Sequence, residues 1–160
     1  MNIKTKLTKI GRDPKKNKGF INPGIYKGST LIFSDFKSYV KDRDRKDDVA
    51  YYGLNINPTF DKFERAISKL YGASDTVATP SGLAALVIPF FTFLKNGDHV
   101  LISDALYNPT RHFCEKILMN YGIKINYFHP TRNIDKFDRL IKDNTKLIFL
   151  ESPGTATFDI

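Results

Sequence analysis

Several things are scarce in this chain, and each scarcity excludes a class of protein. There is one cysteine in 160 residues, so Cys114 has no partner for an internal disulfide and a secreted, cross-linked scaffold is excluded. The three histidines, His99, His112 and His129, share no metal-ligand spacing with each other or with Cys114. No apolar run approaches the roughly 20 residues that cross a membrane. The amino terminus, MNIKTKLTKIGRDPKK, lacks the apolar core of a signal peptide and is Lys-rich rather than Arg- and Ser-rich. A cytoplasmic location, with no membrane partner, is the expectation. Glycine-rich dinucleotide or nucleotide fingerprints and a G-x-S-x-G elbow are missing as well. What remains is 41% hydrophobic and 13% aromatic, too apolar for intrinsic disorder.

Charge is present in excess, but unevenly. The formal net charge is +8, and seven of the basic residues (Lys4, Lys6, Lys9, Arg12, Lys15, Lys16 and Lys18) precede residue 19 against Asp13 alone. The remaining chain is nearly neutral, and the run Lys41 to Asp48 cancels internally. That run reads as a solvated loop, and the amino-terminal arm as a solubilising tail. No base-reading motif or aromatic platform supports a nucleic-acid partner.

Residues 1–55 read as an irregular arm, broken by Gly19, Pro23, Gly24 and Gly28. From residue 56 a regular pattern begins. Asn57-Pro58 is a helix start, Phe60, Phe63, Ile67 and Leu70 recur at helical spacing, and Gly72 is a stop. Thr76–Thr79 is a strand candidate, Leu83–Leu94 a helix, His99–Ser103 a strand, and Asn108–Met119 a helix. Ile123–Phe128 reads as a strand, Ile134–Lys142 as a helix and Lys146–Leu150 as a strand. The βα rhythm of about 24 residues leaves one crossover helix per strand, which predicts an α/β fold with a mainly parallel sheet and right-handed crossovers.

Ligands of such sheets gather at the carboxyl ends of the strands. Three segments fall there. Thr79-Pro80-Ser81-Gly82-Leu83-Ala84-Ala85 enters a helix through small residues. Its free N–H groups, Ser81 to Ala84, suit either an anion or close packing. Tyr107, in Asp104–Pro109, can stack on a planar ligand or pack at a loop–helix junction. Glu151, in Glu151–Thr155, can be a binding group, an acid–base group or a structural carboxylate. Cys114, on an amphipathic helix, reads as a small core residue rather than a nucleophile.

Ordered motifs then coincide along the chain: Gly11-Arg12-Asp13-Pro14, Asn22 to Thr30, Tyr52-Gly53 with Asn57-Pro58-Thr59, Ser81 to Ala85, Gly97 to Val100, Tyr107, Phe113 to Leu118, and Phe149 to Gly154. In this set the chain resembles the amino-terminal part of the pyridoxal-phosphate-dependent trans-sulfuration enzymes of cysteine and methionine metabolism, fold type I. Gly154-Thr155-Ala156-Thr157 tilts the resemblance toward the cystathionine β-lyase branch, with cystathionine γ-synthase or methionine γ-lyase as the alternative. The resemblance implies pyridoxal phosphate as cofactor and residues 56–160 as the incomplete first part of its binding domain. The N–H groups of Gly82 and Leu83 would then bind its phosphate and Tyr107 would stack on its ring. Tyr52 would reach the phosphate in a neighbouring subunit of a homo-oligomer.

The same resemblance implies β-elimination of an amino-acid substrate, cystathionine, to homocysteine, pyruvate and ammonia. Two departures matter. Leu54 stands where the family carries a phosphate-binding Arg, and the Schiff-base Lys and the acidic partner of the pyridine nitrogen are expected beyond Ile160. The isolated chain is therefore expected to be inactive, either completed by a separate carboxy-terminal half or a decayed gene product. The reading from another class is a non-catalytic basic binding or assembly-partner protein.

Overall fold

The computed structural model describes residues 2–44, 50–130 and 134–160, with 134–136 as backbone only. Two compact units divide the chain at Ala78 and Thr79.

The first unit holds three helices: α1 (Ile3–Lys9), α2 (Phe36–Asp44) and α3 (Pro58–Tyr71). The α3 helix forms where the sequence signals it. The Asn57 side chain accepts from the Thr59 N–H, Pro58 occupies the first turn, and Gly72 closes the helix in the left-handed region at φ 69°. The arm before it is less irregular than expected. Asn2 caps α1, and Asp35 caps α2 by accepting the Ser38 N–H at 2.8 Å. Pro and Gly separate these short helices without preventing them. Arg45 to Val49 of the charged run lie outside the described residues, and Lys41 to Asp44 are helical rather than looped.

The strand expected at Thr76–Thr79 is absent. No strand lies beside it among the described residues. Its polar groups turn to α3 instead, with the Ala78 N–H donated to Glu64 Oε1 at 2.7 Å and the Thr76 hydroxyl 2.8 Å from that of Ser68.

The second unit is the α/β body: α4 (Gly82–Phe93), β1 (His99–Ser103), α5 (Asn108–Lys116), β2 (Lys124–Phe128) and β3 (Thr145–Phe149). The strands form one parallel sheet in the order β2-β1-β3. Central β1 is buried along its whole length, as expected for a parallel strand covered on both faces. Val100 and Ile102 face a core with Phe90 of α4 and Phe113, Cys114 and Leu118 from α5 and the turn after it. Phe90 stacks on Phe149 at 5.0 Å between ring centroids. On the other face, Phe128 meets Phe137 edge-on at 5.0 Å.

Two helices are shorter than their sequence patterns suggest. The run Asn108–Met119 bends after Lys116 into a 3₁₀ turn, Leu118–Tyr121, closed by Gly122 at φ 77°. Ile134–Leu140 is a 3₁₀ segment rather than an α-helix.

Candidate functional site at the carboxyl edge of the sheet

The direction of α4 sets the site. Its last turn runs into Lys95, whose N–H is held by Asp98 Oδ2 at 2.9 Å immediately before β1. The carboxyl end of α4 therefore lies at the amino edge of the sheet, and its amino end points toward the carboxyl edge. There Ser81 caps the helix: its Oγ accepts the Ala84 N–H at 3.1 Å and its carbonyl accepts the Ala85 N–H at 3.1 Å. The anion-binding set is thus narrower than the sequence suggests, because Ala84 is occupied. The N–H groups of Gly82 and Leu83, the first two of the helix, have no hydrogen-bond partner among the described residues. Nothing lies within 4 Å of where a Cβ on Gly82 would sit. Two unpaired donors at the positive end of a helix dipole, with open space beside them, suit a phosphate.

Tyr107 stands at the same edge, at the start of α5. The residue is 43% exposed. The loop that carries it is held at nearly every position. The Asp104 N–H donates to the Phe128 carbonyl at 2.8 Å, and Arg111 binds both the carboxylate and the carbonyl of Asp104. Leu106 is buried in the core, and the Tyr107 N–H donates to Glu151 Oε2 at 2.8 Å. The second loop, Glu151 to Thr155, docks against the first. Thr155 donates its hydroxyl to Glu151 Oε1 and its N–H to the Ala105 carbonyl at 2.8 Å. Both oxygens of Glu151 are therefore engaged in structure. Gly154 is required here, since a Cβ would come within 2.6 Å of Ala105 Cβ.

Arg111 ties α5 to the same edge. Its guanidinium lies 4.2 Å from the centre of the Tyr127 ring and 3.6 Å from Glu115. Burial works against its charge, but the bonded Asp104 carboxylate outweighs it and holds the pKa above the ordinary value. Beneath it, burial pushes the Cys114 thiol and the Tyr127 phenol each up to about 12. Cys114 is fully buried in the core, as its helical context suggested, and offers no thiolate at neutral pH. No cluster of metal-ligating side chains exists among the described residues.

The model of the Cys/Met metabolism PLP-dependent enzymes matches residues 4–160. The chain belongs to this family. A putative cystathionine β-lyase of Rhizobium johnstonii is 41% identical over 158 residues, which cover 99% of this chain and 39% of that protein. An L-alanine/L-glutamate racemase of Wolbachia pipientis wMel is 36% identical, covering 96% of this chain and 40% of that protein. A crystal structure of metB from Corynebacterium glutamicum superposes with a TM-score of 0.85 at 28% identity, over all of this chain and 40% of that one. The chain thus spans about 40% of the length of these family members. Its family is pyridoxal-phosphate-dependent, and its second unit is a parallel-sheet part of that α/β fold.

Within this family frame the structure brings Gly82, Leu83 and Tyr107 to one edge of one unit. Tyr52 lies in the first unit, 42% exposed, as does Leu54, 74% exposed. The Tyr52 segment is fixed by a tight backbone crossing: the Gly53 N–H donates to the Ser29 carbonyl at 2.8 Å, and a Cβ on Gly53 would lie 2.2 Å from the Gly28 carbonyl oxygen. Sequence reasoning did not find the Thr155–Ala105 contact or the engagement of Glu151. The small residues Ala105 and Gly154, each just beyond a strand end, were the available signal. No helix among the described residues is long and apolar enough to cross a membrane.

Proposed function

We propose that this chain supplies the phosphate and ring contacts of a pyridoxal-phosphate site in a cytoplasmic carbon–sulfur lyase. The proposed reaction is β-elimination of cystathionine to homocysteine, pyruvate and ammonia. The observation that carries the reading is the pair of unpartnered N–H groups on Gly82 and Leu83 at the edge that also presents Tyr107. The Gly82 and Leu83 amides would hold the phosphate, and Tyr107 would cover the pyridine ring, excluding water from one face. When bound, pyridoxal phosphate supplies an electron sink for bond breaking at the α-carbon of an amino acid. Carbon–sulfur chemistry is favoured by the cystathionine β-lyase relatives.

The five lysines of the second unit whose side chains are described do not suit the anchoring role. Lys95 follows the carboxyl end of α4, Lys116 ends α5, and Lys124, Lys142 and Lys146 lie at the starts of β2 and β3. All five belong to the amino edge, opposite the site. A part of the protein outside residues 1–160 is proposed to bring the lysine and the pyridine-facing acid, in an oligomer where Tyr52 serves a neighbouring phosphate. It would also cover α4, which is apolar on nearly every side yet leaves Ile88 and Phe93 exposed.

Equilibrium dialysis of the purified chain against pyridoxal 5′-phosphate tests this. Reversible binding displaced by inorganic phosphate is expected, with no borohydride-fixed adduct at those five lysines and no cystathionine turnover. Absence of binding, or robust turnover by the chain alone, overturns the reading.

A further inference from the structure

The loop after β3 engages the Tyr107 loop more closely than packing requires. Glu151 Oε2 accepts the Tyr107 N–H, Glu151 Oε1 accepts the Thr155 hydroxyl, and the Thr155 N–H returns to the Ala105 carbonyl. The circuit closes across 44 residues of sequence. Gly154 allows the two loops to touch, leaving its would-be Cβ within 2.6 Å of Ala105 Cβ. On the other side, Asp104 is held by Phe128 and Arg111, and Leu106 is sunk in the core. Every handle on the Tyr107 backbone is therefore taken. Its ring makes no aromatic contact and its hydroxyl no hydrogen bond among the described residues. An aromatic ring that is half-exposed and unpartnered, on a backbone fixed from both sides, is a rigid platform for a planar ligand.

We propose that Glu151 is a positioning residue for Tyr107, the centre of a latch that joins the loops after β1 and β3 and fixes the ring-stacking platform. The inference rests on the reading of Tyr107 as the cofactor's ring contact. Glu151 transfers no proton in this account, because both its oxygens are committed to holding the loops. What it supplies is orientation: loss of the carboxylate frees the Tyr107 N–H and the Thr155 hydroxyl together, and the two loops separate.

The latch is tested in the full chain by amide hydrogen exchange and by two ligands. In Glu151→Ala, the Tyr107 and Thr155 amides should lose protection while the Leu101 amide in β1 keeps it. Affinity for pyridoxal 5′-phosphate should fall about tenfold, the scale of losing a charge-assisted hydrogen bond, while affinity for inorganic phosphate stays unchanged. Glu151→Gln keeps a carbonyl acceptor for Tyr107 and should restore most of both signals. Equal weakening of both ligands would point to general destabilisation and overturn the latch. So would unchanged Tyr107 protection, or a glutamine variant as defective as alanine. Exchange needs no ligand, so failure of the wild-type chain to bind pyridoxal 5′-phosphate would remove the functional reading alone and leave the latch to be decided by protection.

Discussion

Cys114 shows how one buried group makes the stability of the second unit depend on pH. In an unfolded chain its thiol titrates near about 8.5 and the Tyr127 phenol near about 10. Burial first, then the Glu115 charge, raise both groups to about 12 in the fold, and the Cys114 charge adds to the shift of Tyr127. The unfolded state therefore loses protons first. Stability is fully present below about pH 8.5 and falls as pH rises toward 12. Denaturation midpoints measured from pH 7 to 11 should decline above pH 9, and Cys114→Ala should flatten the first part of that decline. A thiol reagent at pH 8 should react with Cys114 only at the rate of unfolding. Gly154 makes a second residue-scale prediction. Gly154→Ala forces the added carbon onto Ala105, an overpacking that costs about 1–3 kcal/mol, and Ala105→Gly in the same chain should recover most of the loss in a double-mutant cycle.

At the scale of elements, what the sequence showed depended on whether local signals sufficed. The α3 helix carried its cap, its proline and its terminal glycine within sixteen residues, and it forms as read. β1, a short apolar run between turn signals, forms over the expected residues. Thr76–Thr79 looked equally strand-like, but a strand needs a neighbour and none is paired to it among the described residues, so Glu64 and Ser68 of α3 take its polar groups. The fully buried His99 carried no readable role. It clamps the sheet: Nε2 meets Asn126 Oδ1 of β2 at 2.9 Å, and Nδ1 meets Thr145 Oγ1 of β3 at 2.7 Å. Lys142 donates to both acceptors, from Nζ and from its backbone N–H, so the Nε2–H tautomer completes the set. His99→Leu leaves Asn126 and Thr145 each short of a partner. It should destabilise the chain by about 2–3 kcal/mol, read as a lower denaturant midpoint with an unchanged m-value.

For the whole molecule, the excess of charge changed meaning. Most of the +8 sits before residue 19, and the α/β body that carries Gly82, Leu83 and Tyr107 is close to neutral, which removes the argument for a nucleic-acid surface. The family was legible because its motifs keep their order over nearly the whole chain, and the match over residues 4–160 bears that out. Glu151's double engagement was not legible, because a carboxylate at a strand end looks the same whether it serves chemistry or holds a loop. The central claim is that the start of α4 and Tyr107 form a cofactor half-site. Its most direct test is a titration of the ¹⁵N-labelled chain with pyridoxal 5′-phosphate, followed by amide resonances. The account predicts saturable shifts at Gly82, Leu83 and Tyr107, with inorganic phosphate reproducing only the first two. Shifts confined to the basic residues 4–18, or no saturable shift at Gly82 and Leu83, would contradict it.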